Sequence, residues 1–388
     1  MVLFKRRLEK DLGPFYEGFE MIIKDEIHGT IEFNELEEKV IDSIPFQRLR
    51  RIKQMSVTNL VYPGANHTRF EHSIGTAHLG WVIAKKLGLE EEDARKVKIH
   101  GLLHDIGHTA FSHEGEDVVK KYIGDHEKLG MEKILHGEIA DILSENYKPQ
   151  EIADVGDYGS IISSDLGADR MDYLKRDALN TGVAYGIIDI DRIVHTLSMK
   201  EGMICIEKGG LESAEYLLVA RFMMFSTVYF HHTVRIATAM LYRAIEEAIS
   251  DGTITPEQFA DMDDECAFTS MAKSKKAGKY VDALLRRKLY KEVCGFPKKV
   301  WKELDMEKLS KQFDCDIIVD YPHEFFKPVG LKVNTETGLQ PISEVSKLIQ
   351  SLKKAEEDRM RVLVLTNENA RDKCGKEIEE QVSSLLGK

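Results

Sequence analysis

Between Ile99 and Glu116 the chain reads IHGLLHDIGHTAFSHEGE, which places four histidines and an aspartate in one short stretch. His104 and Asp105 are adjacent, His100 and His108 lie one helical turn to either side, and His113 follows. Imidazole nitrogen and carboxylate oxygen form a borderline ligand set suited to Zn, Mn, Fe, Co or Ni. Sequence neighbours cannot share one face of a regular helix, so a helix end is expected at the doublet, with Gly107 as the breaker. The plain alternative is a histidine-rich helix end satisfied by backbone and water. The density of ligand types favours a metal.

Two other stretches concentrate charge. Ser160 to Tyr185 (SIISSDLGADRMDYLKRDALNTGVAY) packs Asp165, Asp169, Arg170, Asp172, Tyr173, Arg176 and Asp177 into a few turns. Asp169, Tyr173 and Asp177 share a face there. Taken alone, it reads as a solvated acidic face with internal arginine pairs. Gln47 to Met55 (QRLRRIKQM) reads as a basic helical run, either a solvated face or a phosphate lining.

These groups must be positioned by the elements around them. Met21 to Phe33 alternates as a hairpin turning near His28–Gly29, and Asn34 is a plausible cap for a helix to Ile44. Val61 to Ala65 (VYPGA) is turn chemistry leading into a helix whose stripe is Phe70, Ile74, Ala77, Trp81 and Ala84. His72 falls off that stripe, and His78 reads as an ordinary half-buried histidine. The next helix, from Glu91, carries the metal segment; Asp125–His126–Glu127 then precedes a helix through Leu135, and a loop spans Tyr147 to Gly159. Met203 to Glu207 reads as a strand, Ser213 to Ile249 as a long apolar helix or helix pair, and Thr255 to Gln258 as a capping box. Helical patterning is expected to continue through Trp301. Short β-branched runs at Cys315–Val319 and Arg361–Leu365, around a helix from Ile342 to Glu357, point to a small α+β appendage. The expectation is a mainly α protein, with a catalytic helical core over residues 1–305 and an α+β subdomain over 306–388.

The 388 residues carry a formal net charge of −12, which argues against broad binding to nucleic acid or anionic membrane. An anionic substrate stays open, because a bound cation and inward arginines reverse the local sign. Five scattered cysteines without a CxxC pair suggest reduced thiols in a cytoplasmic protein. The start, MVLFKRRLEKDLG, turns charged too soon for a signal peptide, and no apolar run approaches the roughly 20 residues of a membrane span.

Seven stretches, in order across residues 20–295, carry a family likeness: DEIHGTIEF, FQRLRRIKQ, YPGANHTRFEHSIG, GLLHDIGHTAFSH, DHEKLG, ADRMDYLKRDALNTG and RRKLYK. Together they resemble the HD-domain phosphohydrolases, and among them the deoxynucleoside triphosphate triphosphohydrolases of the SAM-and-HD-domain type. No segment resembles the SAM domain. The resemblance implies an HD-type helical bundle and one divalent metal ion (Mn, Mg, Fe, Co, Ni or Zn) held by His72, His104, Asp105 and Asp169. It places His108, His126 and Glu116 in catalysis, with His126 as proton donor and Glu116 orienting it. It assigns Gln54, Arg69, His113, Arg170, Tyr173, Asp177 and His232 to a nucleotide substrate, with Tyr173 under the deoxyribose. Homo-oligomers, dimers or larger, are also implied. The sequence departs from the pattern at Val228, where relatives have a phosphate-binding arginine, and at Ile236, where they have a base-flanking tyrosine. Of the residues that serve nucleotide-controlled assembly in the family, Asp42, Gln47 and Arg50 are present, and Met21 replaces a lysine. The expected reaction is dNTP to deoxynucleoside plus tripolyphosphate, a purine deoxynucleotide being the first to try. The alternatives are an HD-type nucleotidase or phosphodiesterase, and a nucleotide-sensing regulator.

Overall fold

The computed structural model describes residues 21–322, 330–357 and 360–387, so the leader MVLFKRRLEKDLG lies outside the described residues. Strands β1 (Met21–Asp25) and β2 (Gly29–Phe33) form the expected antiparallel hairpin, closing at Gly29 with φ of +79°. Helix α1 (Glu35–Asp42) starts at the Asn34 cap. Asn34 accepts from the Glu37 N–H at 2.9 Å, and Glu37 accepts in return from the Asn34 N–H at 3.0 Å. The reciprocal cap satisfies donors that a helix start leaves open.

The basic run departs from the expectation of one helix. Only α2 (Ile44–Arg48) and a single 3-10 turn, Leu49–Arg51, form there. Arg48 is buried and donates to the carbonyls of His108 at 2.6 Å and Met262 at 2.9 Å. Burial pushes its guanidinium down to about 10. Arg51 pairs with Asp263 at 2.5 Å. These two arginines are anchors between segments, and their tertiary partners override local helix propensity.

Helices α3 (Arg69–Lys86) and α4 (Glu91–Leu103) pack against one another and over the hairpin. Phe70, Ile74 and Ala77 join Phe33, Val40, Ile99 and Leu102 in one apolar cluster. Helix α4 has already stopped at Leu103, so the doublet sits in the turn beyond it and Gly107 does not end the helix. Gly107 has a different use: a Cβ there would stand 2.1 Å from the His126 carbonyl oxygen. Its bareness lets the turn approach the start of the helix that begins at His126. Helices α5 (Ser112–Ile123), α6 (His126–Leu135) and α7 (Ala168–Thr181) complete the walls of the site.

The long apolar stretch is a helix pair, α8 (Leu211–Met224) and α9 (His232–Ser250), separated by a π-helical turn at Phe225–Tyr229. The capping box at Thr255 and Gln258 starts helix Pro256–Asp261. Helical patterning through Trp301 is overturned, because Lys291–Pro297 is a strand. Four strands pair in the order β3 (Leu197–Lys200), β4 (Met203–Glu207), β7 (Lys332–Thr335) and β8 (Gly338–Pro341). Three more pair as β5 (Lys291–Pro297), β9 (Arg361–Thr366) and β6 (Ile317–Asp320). Segments on either side of residue 305 therefore share both sheets, through β4 with β7 and β5 with β9. The protein is mainly helical, with small sheets concentrated toward its C-terminal part.

Candidate metal centre

His72 lies one turn into α3, His104 and Asp105 in the turn after α4, and Asp169 in the first turn of α7. The fold brings all four together. His72 Nε2 is 3.3 Å from His104 Nε2, 3.2 Å from Asp169 Oδ1 and 3.7 Å from Asp105 Oδ2. His104 Nε2 is 3.3 Å from Asp105 Oδ1 and 4.0 Å from Asp169 Oδ1. His72, His104 and Asp169 each offer one donor atom within 4.8 Å of the others, spacings that suit a cation bound at about 2.1 Å, and Asp105 adjoins them through a different oxygen to each histidine.

Both imidazoles have their tautomers fixed from behind. His72 Nδ1 donates to Asp172 Oδ2 at 2.8 Å, and His104 Nδ1 donates to the Gly101 carbonyl at 2.7 Å. Each Nε2 is thereby turned toward the cluster, the direction ligation requires. Asp172 is held in turn by the Arg176 guanidinium, which also reaches Asp25 at 2.9 Å, and by His28 at 2.7 Å. Gly75 makes room for this network, since a Cβ there would stand 2.0 Å from Asp172 Oδ1. Burial opposes charge on His72, yet hydrogen bonds to Asp169 and Asp172 outweigh it and raise the imidazole to about 10. The surrounding carboxylates thus stabilise positive charge at this point. The donor set and its field fit a divalent ion.

A second group adjoins the first across Asp105. Asp105 Oδ1 is 3.3 Å from His108 Nε2, and His108 stacks on His126 with ring centroids 4.1 Å apart. Neither His108 ring nitrogen has an aligned hydrogen-bond partner among the described residues. Burial and the nearby Arg69 hold the His108 imidazole well below its usual range. His126 goes the other way: burial lowers it, but its 2.8 Å bond from Nδ1 to Glu116 Oε2 raises it overall. Burial also disfavours the Glu116 carboxylate, while His113 and His126 outweigh that and hold its pKa far down. Two stacked imidazoles whose pKa values are pushed in opposite directions suit an acid–base pair. His113 sits 3.3 Å from Glu116 and is 65% exposed.

Among the expected substrate residues, Arg69 is buried, donating to Asp105 at 2.6 Å and Ser112 at 2.9 Å. Tyr173 faces His72 edge-on, centroids 6.5 Å apart. Arg170 is clamped by Asp165, and its Nε has no hydrogen-bond partner among the described residues; nor has Gln54 Oε1. Asp177 bonds His67 at 2.7 Å and Tyr229 at 2.5 Å, so both oxygens are engaged. His232 is bonded to Glu292 of β5 at 2.7 Å. Sequence reasoning missed the supporting residues His28, Asp172 and Arg176. The i, i+3 step from Asp169 to Asp172 was their available signal.

Comparison with known proteins agrees with this arrangement. The HD domain family matches residues 69–177, and the HD associated region matches residues 188–384. The chain belongs to the HD-domain phosphohydrolase family. It is 36% identical over 401 residues to an uncharacterized Methanocaldococcus jannaschii protein, covering 94% of this chain and 86% of that one. A Dictyostelium discoideum deoxynucleoside triphosphate triphosphohydrolase SAMHD1 homolog is 29% identical over 307 residues, 70% of this chain and 60% of that protein. A hypothetical protein from Aquifex aeolicus superposes with a TM-score of 0.77 at 29% identity, over 93% of this chain and 99% of that one. No helix among the described residues is long and apolar enough to cross a membrane.

Proposed function

We propose that the protein hydrolyses nucleotides at this centre, most specifically dNTP plus water to deoxynucleoside plus tripolyphosphate. One observation carries the reading: the His72, His104 and Asp169 donor group adjoins Asp105, which also faces a stacked histidine pair whose pKa values are pushed in opposite directions. Metal ligands beside a poised acid are what phosphoester hydrolysis needs. Likeness to the Dictyostelium homolog supports the triphosphate version.

His72, His104, Asp105 and Asp169 would hold the ion, which when bound supplies Lewis acidity toward a water and a phosphate oxygen. His126, kept protonated by Glu116, gives its Nε2 proton to the departing oxygen. His108 stays neutral and accepts hydrogen bonds. Arg69 and Arg170 offset phosphate charge, His113 adds a donor at the rim, and Gln54 Oε1 accepts a substrate hydroxyl. Tyr173 closes the side where a 2′-hydroxyl would stand. Asp177, through His67 and Tyr229, fixes that wall. The five cysteines are free thiols, which supports a reducing, cytoplasmic setting.

A second reading, a nucleotidase or phosphodiesterase of the same class, is favoured by Val228 and Ile236. These are 0% and 3% exposed, so neither offers a surface to a triphosphate or base. Incubating the protein with each dNTP and common NMPs, in Mn, Mg, Co or Ni, separates the readings. Tripolyphosphate is expected. Orthophosphate from a monophosphate alone supports the second reading, and nucleotide binding without product overturns both.

A further inference from the structure

A cavity of about 490 Å³ lies apart from the histidine clusters, between the β1–β2 turn, α3, α7 and helix Ile190–Thr196. That volume suits a small ligand. Its titratable lining comprises Lys86, Lys175, His28, His78 and His195, with Asp191 the single carboxylate. Neither Lys86 nor Lys175 has an ion-pair partner among the described residues. In a chain of net charge −12, two uncompensated ammonium groups at one concavity make it a place where an anion is favoured. The rest of the wall is aliphatic, contributed by Ile27 of the β1–β2 turn, α3 and helix Ile190–Thr196. Two lysines together with aliphatic side chains in one cavity match a small phosphorylated compound with an uncharged body.

The cavity also reaches the candidate metal centre. His28 and His78 lie ring to ring in its wall, centroids 5.3 Å apart. Burial, with His28 and Lys98 alongside, pushes His78 down to about 4. His28 Nε2 is 2.7 Å from Asp172 Oδ1, and the other oxygen of Asp172 is 2.8 Å from His72 Nδ1. Cavity and metal cluster thus sit on opposite sides of one carboxylate.

We propose that this cavity binds the phosphoryl group of a small phosphorylated ligand between Lys86 and Lys175, in contact with His28. Its coupling to the reaction centre, through Asp172 to His72, rests on the proposed function; binding in the cavity does not. Inorganic pyrophosphate is the probe, titrated into the full chain with histidine selectively labelled and divalent ions removed, so that none carries the anion to the other cluster. Resonances of His28, His78 and His195 are expected to move, and the affinity to fall about tenfold or more in the double variant Lys86→Gln, Lys175→Gln. That variant is expected to keep the basal rate of nucleotide hydrolysis. Shifts confined to His108, His113 and His126, or an affinity unchanged in the double variant, overturn the site. Because the readout is binding, its failure is distinguishable from failure of the hydrolase reading.

Discussion

The two histidine clusters on either side of Asp105 use the same residue types and are supported in opposite ways. Behind His72 stands a closed, buried network, Asp172 with Arg176, Asp25 and His28, in which each charge has a partner. His126 leans on one carboxylate, Glu116, and His108 has ring nitrogens without aligned bonds among the described residues. A metal ligand must hold one tautomer and one direction, so it gains from a rigid frame. A group that moves a proton needs a free nitrogen and a tunable pKa. The difference in support matches the different tasks proposed for the two clusters.

The largest test of that contrast is Asp169→Ala. It is expected to abolish both divalent-metal retention, measured by elemental analysis, and hydrolysis, measured by product release. Full hydrolysis with metal lost would break the assignment of the first cluster. His126→Gln is expected to slow hydrolysis about 10²- to 10⁴-fold while metal content holds. Loss of the metal in that variant would erase the distinction between the clusters. Asp172→Asn touches the frame alone, and metal affinity by calorimetry is expected to fall about 10- to 100-fold.

The smallest effect is a displacement in pH. Glu116 raises the His126 pKa, which keeps the acid protonated to higher pH. Glu116→Gln removes that contribution, so the alkaline limb of the pH–rate profile moves to lower pH. A limb that stays in place would detach His126 from the role of proton donor.

Much of this was legible in the chain. The His104–Asp105 doublet, the Asn34 and Thr255 caps and the hairpin at Gly29 are local, and local hydrogen bonds or steric limits set them. The Lys291–Pro297 strand was not legible, because its partner Arg361–Thr366 is distant in sequence and its own pattern is short and half-exposed. Arg48 was misread for a related reason: its acceptors, the carbonyls of His108 and Met262, come from remote segments.

By itself the sequence determined the inventory: which imidazoles and carboxylates exist, where helices begin, and a family likeness that pointed to candidate ligands by position. Tertiary structure alone decided which of those groups share a carboxylate, which acceptors stand behind His72 and His104, and which arginines are anchors. Those outcomes depend on burial and on distances across segments far apart in the chain, and residue spacing along a polymer does not encode them.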